Sequence, residues 1–286
     1  MAKNNFTLMY GQVRAKPRLR IDDGEPKQAT FSIKVLRRPS NGQGFDSKLY
    51  ADCPVIRTKN KEMIKKICEL DVGDMVLIRG TLTTKEVLKR AICPQCGKEN
   101  KAHGNIVYIT PIMIRKEEAA QNETEGIALL KEYNEISNLV EVIGTLCREP
   151  HFYIDANNRK YAQYQIAVNR RYRIHEDPDD KKTDYPWIKT FGLQAAEDSK
   201  CLAVGSTVYI SGALQTREIL RTMACEHCSH DYEWDETVAE IVPYYIGYIA
   251  NCNTSTDGTE TSETEAYSLN NVDMNEVGNN GEEKGN

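Results

Sequence analysis

The feature that most constrains this chain is an internal repeat. Residues 5–115 and 138–249 follow one pattern at an offset of 133 early in the repeat and 132 later. Gly11 and Pro17 recur as Gly144 and Pro150, and Phe31-Ser-Ile-Lys-Val35 recurs as Tyr164-Gln-Ile-Ala-Val168. Val72-Gly73 and the apolar run behind it recur at Val204-Gly205; Gly80 and Leu82 recur as Gly212 and Leu214, and Cys93 and Cys96 as Cys225 and Cys228. Chance does not supply so many coincidences in order, so the chain holds two copies of one structural unit. At 286 residues it has room for two domains of ordinary size, and 40% hydrophobic content lets each copy bury a core.

Within each copy, apolar residues alternate over short stretches rich in Val, Ile, Tyr and Thr and bounded by Gly, Pro, Asn and Asp, which predicts strands. They fall near 6–14, 28–37, 47–56, 74–90 and 104–115 in the first copy, with a helical stretch at 59–70. In the second they fall near 138–148, 159–170, 184–192, 206–222 and 235–249, with a weaker helical stretch at 193–202. Five strands with a helix between the third and fourth is the order of an OB barrel, although another small barrel also satisfies period and order.

The second copy narrows this. Val142-Ile-Gly-Thr-Leu146, Arg148-Glu-Pro150, Ala167-Val-Asn-Arg170 and the run from Val208 to Arg217 resemble, in order, signatures of the bacterial single-stranded DNA-binding proteins. The resemblance covers nearly all of 138–249 and reaches the first copy through the repeat, where Gly80-Thr-Leu-Thr-Thr-Lys85 is a looser version of one strand. It implies an all-β chain of two tandem OB-fold barrels, a pseudo-dimer in one polypeptide, where family members usually carry one barrel and form tetramers. The expected organisation is a basic first barrel at 1–116, an acidic linker at 117–136, a second barrel at 137–250 and a disordered acidic tail at 251–286. Family tails end in a hydrophobic tip that recruits replication and repair enzymes. This tail ends Glu282-Glu-Lys-Gly-Asn286, so recruitment by that route is not expected.

The net charge of −5 hides a division. Residues 1–116 carry 23 Lys and Arg against 11 Asp and Glu, a net of +12, while residues 137–250 carry 12 against 17 and residues 251–286 carry 1 against 8. Clustered cations attract phosphate through local potential, so the basic half is a candidate nucleic-acid footprint. A sequence-independent single-strand site needs such cations and exposed rings on which bases stack. Candidate contacts in the first copy are Lys34, Arg37, Arg38, Lys85 and the ring of Tyr50, with Lys48, Lys89 and Arg90 nearby. In the second copy they are Arg170, Arg171, Tyr172 and Arg173 leaving the second strand, Tyr185 and Trp187 on one face of the third, and Arg217 on the fourth. The resemblance matches Tyr185 to a stacking tryptophan of the family; Phe191, on the same face, is expected in the core.

Cys93-Pro-Gln-Cys-Gly97 and Cys225-Glu-His-Cys228 each present two thiolates from one tight turn. A closed structural zinc site needs four ligands and each copy brings two, so one site shared by Cys93, Cys96, Cys225 and Cys228 is expected; local completion by His103, or by His227 and His230, is the alternative. A redox pair would sit at a helix start, and both pairs here follow strands. Cys53, Cys68, Cys147, Cys201 and Cys252 lack ligand spacing, and most of them are expected as small core residues.

The residues from Ile127 to Tyr133 form a candidate short helix within the linker. No Gly-rich phosphate loop and no nucleophile motif occurs, and Glu176-Asp-Pro-Asp-Asp180 reads as a solvated turn, so an enzyme is not expected. No signal peptide and no membrane span is read, which points to the cytoplasm. The expected role is to protect or organise single-stranded DNA in replication, recombination or repair, pairing further with a second copy. The alternatives are an adaptor acting through protein contacts, as in a primosome or mobile element, and a single-stranded RNA binder.

Overall fold

A computed structural model describes residues 3–38, 50–172, 174 and 182–253. The expected tail beyond Asn253, the Glu176–Asp180 loop, Lys48 and Arg173 lie outside the described residues. The first half runs β1 (Asn4–Val13), β2 (Arg18–Asp22), β3 (Glu25–Leu36), β4 (Ala51–Asp52), β5 (Val55–Thr58), α1 (Lys61–Cys68), β6 (Asp74–Ile92) and β7 (Glu99–Ala119). After α2 (Glu123–Glu132) and α3 (Asn134–Ser137), the order repeats as β8 (Leu139–Leu146), β9 (His151–Ile154), β10 (Lys160–Asn169), β11 (Thr183–Asp184), β12 (Trp187–Phe191), α4 (Gly192–Cys201), β13 (Thr207–Ala224) and β14 (Asp231–Ala250).

Each half closes on itself. The ring β1-β6-β7-β5-β3 returns to β1, and the ring β8-β13-β14-β12-β10 returns to β8, giving two OB barrels. Strand alternation sets the interiors: in β8, for example, Val140, Val142, Gly144 and Leu146 are buried while the residues alternating with them are half-exposed. The Asn60 side chain caps α1 by accepting the N–H groups of Glu62 and Met63, both at 3.0 Å, and the helix buries Met63, Ile64 and Ile67 over the barrel end. At Gly80 and Gly212 the register shifts by a bulge, and an added Cβ would sit 2.5 Å from the Thr110 carbonyl oxygen and 2.4 Å from that of Val242. Only glycine lets the crossing strands approach this closely, which explains why both copies carry it. Sequence reading missed β2 and β9, the outer strands of short hairpins, and placed the ends of β6, β7, β13 and β14 too early.

The barrels join edge to edge through β1 and β8, which pair antiparallel from Asn4↔Ile143 to Leu8↔Leu139. Thr7 pairs with Val140, its own counterpart at the repeat offset of 133. A residue facing its own equivalent marks the axis of an isologous contact, here within one chain. The expected linker does more than span: α2 packs Leu130, fully buried, with Tyr10, Leu36 and Met75 of the first barrel.

A buried polar network fastens this junction twice. Arg37 Nε lies 2.6 Å from Asp52 Oδ2, and Arg170 Nε lies 2.6 Å from Asp184 Oδ2. Each carboxylate also reaches into the other half, Asp52 Oδ1 accepting the Thr216 N–H at 2.7 Å and Asp184 Oδ1 accepting the Thr84 N–H at 2.8 Å. Asn5 brackets Leu82 through both of its amide atoms at 2.8 Å, and Asn138 does the same for Leu214 at 2.9 and 3.0 Å. Burial pushes the Asp52 carboxyl up, against the opposing pull of Arg37 and Thr216.

The β6–β7 and β13–β14 hairpins extend beyond the barrels as two arms. Residues 83–107 carry five Lys and Arg against two Asp and Glu, and residues 215–239 carry two against six, so the arms have opposite net charge. Lys89 and Glu236 form an ion pair across them, and Arg221 holds the second Glu236 oxygen at 2.8 Å. Part of the first half's basic excess therefore faces the acidic arm.

Asp184→Ala leaves the Arg170 guanidinium buried without its counter-charge and is expected to cost about 3–5 kcal/mol in urea unfolding. A second change, Arg170→Met, should restore part of that; a loss below about 1 kcal/mol for the single variant would show that the carboxylate does not fasten the junction. Burial opposes ionisation of Glu236, but Lys89 and Arg221 outweigh it and hold the carboxyl below its ordinary value of 4.5. Its contribution is thus present above about pH 4.5 and is lost as pH falls through the folded-state value. The melting temperatures of wild type and Glu236→Gln should differ at pH 7 and draw together as pH falls below 4.5; a constant gap would reject the assignment.

Candidate nucleic-acid interface and metal centre

The structure sorts the expected contact residues into three groups. Arg37 and Arg170 are 6% and 5% exposed, and Tyr50 is 1% exposed. These three are corrections: they are interior, because each arginine is needed by a fully buried carboxylate and the Tyr50 ring packs beside Arg37, 5.9 Å from its guanidinium carbon. Arg38 turns toward the second barrel, its guanidinium carbon 4.6 Å from the Tyr244 ring centroid and its N–H donating to the Tyr244 hydroxyl. Lys34 pairs with Glu123 at 2.9 Å, and Arg217 pairs with Glu240 at 3.0 Å, each half-exposed. Lys85 is half-buried on β6, and Arg171 and Tyr172 are exposed.

Tyr185 and Trp187 flank the buried Pro186 where the chain enters β12 of the second barrel. The Tyr185 backbone is fixed, its N–H donating to Thr84 Oγ1 at 2.8 Å and its carbonyl accepting from the Gln165 amide at 2.9 Å, while the residue is 43% exposed. Trp187 is half-buried, paired with Gln165 across β10. This backbone held rigid beneath an open ring is what a stacking platform requires.

Sequence reading missed a row of rings on the same face. Tyr153 of β9, Tyr161 of β10 and Phe191 of β12 are register partners. The Tyr153 and Tyr161 rings stack at 4.9 Å with planes 10° apart, and Phe191 meets Tyr161 edge-on at 5.6 Å. Phe191 is half-exposed in this row, not in the core. The Lys189 ammonium lies 5.8 and 5.6 Å from the Tyr161 and Phe191 centroids, and its burial lowers its pKa. The turn signal Asp155-Ala-Asn-Asn-Arg159 ahead of β10 was the clue to the β9–β10 hairpin and so to the pairing of the two tyrosines.

At the arm tips the two CxxC turns meet. Each is closed alike: Cys93 N–H donates to the Lys98 carbonyl and Gly97 N–H to that of Cys93, while Cys225 N–H donates to His230 and Ser229 N–H to Cys225. Cys93 Sγ lies 3.7 Å from Cys228 Sγ and Cys96 Sγ 3.6 Å from Cys225 Sγ. All four sulfurs lie within 4.8 Å of one another, and no histidine joins the group among the described residues. A tetrahedron with Zn–S bonds of about 2.3 Å has S···S edges of about 3.8 Å, so the spacing suits a four-thiolate cation site. Buried Asn100 stitches the tips, its amide donating to Cys225 Sγ at 3.5 Å and accepting the Glu226 N–H at 3.0 Å.

The electrostatics agree. Burial alone would raise the Cys225 thiol, but the N–H of His227, the Asn100 amide and Cys228 outweigh it and bring it down to about 6. The His230 N–H favours the Cys228 thiolate, yet burial and the three neighbouring sulfurs push it up to about 12. Four thiolates at this spacing cannot all ionise without a counter-cation. Of the other five cysteines, half-buried Cys252 packs against the core, while Cys53 and Cys201 are half-exposed and Cys68 and Cys147 exposed, which corrects the expectation of core packing for those four.

Residues 137–230 match the model of the Single-strand binding protein family. Among solved structures, the wild-type single-stranded DNA binding protein from Thermus aquaticus is 13% identical with a TM-score of 0.57, over 91% of this chain and 100% of that one. A deletion mutant of the same Thermus aquaticus protein is 15% identical with a TM-score of 0.57, over 90% of this chain and 100% of that one. At these identities the likeness speaks to the fold, and it extends through both barrels. The second barrel thus carries the sequence pattern of the Single-strand binding protein family, on an OB fold shared with solved structures across nine-tenths of the chain.

Proposed function

We propose that this chain binds single-stranded DNA without altering it, as a pseudo-dimer of two OB barrels, and so protects or organises the strand during replication, recombination or repair. The observation that carries the reading is the face of the second barrel: Tyr185, Trp187 and the Tyr153–Tyr161–Phe191 row stand beside Lys189 and Arg217 on the domain that matches the family. Rings with cations among them hold any base sequence by stacking and charge. Arg171 and Tyr172 extend this face at its edge, and Lys34, Arg38 and Lys85 contribute charge near the junction. The Thermus aquaticus protein of like fold is a single-stranded DNA binding protein, which supports a binding role. A second copy is the expected homotypic partner. No helix among the described residues is long and apolar enough to cross a membrane.

Cys93, Cys96, Cys225 and Cys228 hold one structural zinc ion in this reading. The spacing of the four sulfurs supports it, and so does the absence of any nearer ligand set among the described residues. The ion clamps the arm tips and fixes the orientation of the barrels, so that a strand leaving one face meets the other without a fresh ordering cost.

Titration with labelled oligo-dT, duplex and RNA should show tightest binding to oligo-dT, weakening steeply with salt as counterions are released. Tyr185→Ala and Trp187→Ala should each weaken it by about 1–3 kcal/mol with an unchanged melt. Equal or tighter binding of duplex would reject the reading, preference for RNA would reassign the strand, and binding of none would favour an adaptor role. Metal analysis should return one zinc per chain, and chelation or Cys93→Ser/Cys225→Ser should lower the melting temperature. A metal-free protein whose melt is unchanged by those substitutions would reject the clamp.

A further inference from the structure

The two barrels share a backbone but not an outer face, and the repeat allows them to be compared position by position. Subtracting the offsets of 133, 133 and 132, the ring row Tyr153, Tyr161 and Phe191 corresponds to Arg20, Gln28 and Lys59 in the first barrel. The geometry is the same: Arg20 pairs with Gln28 across β2 and β3, and Lys59 directly follows Thr58, the partner of Ala29 on β5. The next row inward, His151, Gln163 and Lys189, corresponds to Arg18, Thr30 and Arg57, register partners in their turn. Every ring of the second face is absent from the first, and cations stand at both ends of each row.

These cations surround a hollow. An open cavity of about 550 Å³ is lined by Arg20, Lys27, Lys59 and Lys61 together with Gln28, with Glu62 as the single acidic side chain. Arg20, Lys27 and Lys61 are exposed and Lys59 half-buried. Arg57 closes the inner side, donating to the Gln28 amide oxygen at 2.9 Å with its guanidinium carbon 5.3 Å from the Tyr108 ring centroid. A hollow with four cations, one carboxylate and no exposed ring suits repeated monoanions spaced along a chain, and offers a base nothing to stack on.

We propose that Arg20, Lys27, Lys59 and Lys61 form a site for the phosphodiester backbone of the bound strand, so that the first barrel holds phosphates at the place where the second stacks bases. This rests on the reading of the chain as a single-strand binder. One strand is then held by different groups on its two faces: salt governs the grip of the first, and the loss of bases weakens the grip of the second. The arrangement also gives the pseudo-dimer two distinguishable ends, which two identical barrels would lack.

The test uses the full chain, oligo-dT and an abasic oligomer of the same length, which keeps the phosphates and lacks the bases. Arg20→Gln/Lys59→Gln should weaken binding of both strands and flatten the slope of log K against log salt by about 1.4, two contacts at roughly 0.7 each. Tyr153→Ala/Phe191→Ala should weaken oligo-dT binding about tenfold or more, leaving the salt slope and abasic binding as in wild type. Arg20 is exposed and Lys59 half-buried at the rim, so the cation variant should melt as wild type does. An unchanged salt slope in that variant, with wild type still binding oligo-dT, would overturn the phosphate site and leave single-strand binding standing. Failure of wild type to bind oligo-dT would overturn the functional reading beneath it.

Discussion

The carboxylate of Asp52 lies in the wall of the first barrel, paired with Arg37, and accepts a backbone N–H from Thr216 in the second; Asp184 does the reverse with Arg170 and Thr84. A buried carboxylate is stable only where its lone pairs are met, and here they are met partly by each half. Each Arg–Asp pair lies within one half, but neither carboxylate has its full set of hydrogen bonds until the barrels have docked. Docking then sets the β1–β8 ribbon and directs both arms the same way, which brings the CxxC turns together.

The halves are unlike in ways that favour each other as partners. The positive arm of the first lies along the negative arm of the second, with Lys89 and Glu236 paired across them. Two copies of the first arm would repel each other, as would two copies of the second, whereas the observed pairing is attractive. Fusing the copies in one chain let charge diverge between them, which a symmetric homodimer cannot do. The same freedom underlies the two outer faces, one with stacked tyrosines and the other with cations at matched positions.

Repetition also explains what each glycine and asparagine does. Gly80 and Gly212 permit the close strand crossing that closes each barrel, and Asn5 and Asn138 bracket the backbone of Leu82 and Leu214. These residues coincide in the two copies because they serve the shared backbone. Residues that differ, such as Arg20 and Tyr153, lie on the outer faces of the barrels, where the shared backbone does not dictate the side chain.

Much of this was legible in the amino-acid order. The repeat required two like barrels, the alternation of Val, Ile and Tyr located their main strands, and the spacing of Cys93, Cys96, Cys225 and Cys228 marked two half-sites. The inward turn of Arg37 and Arg170 was not legible, because a strand's alternation ends with the strand and the next residue follows its partner. The recurrence of Asp52 and Asp184 at the repeat offset was the overlooked sign. Phe191 was misplaced because alternation assigns a ring to a face without saying whether that face meets the core or solvent. The convergence of sulfurs 129 and 135 residues apart was decided by tertiary structure alone, since local spacing describes a turn and only barrel docking determines where two turns meet.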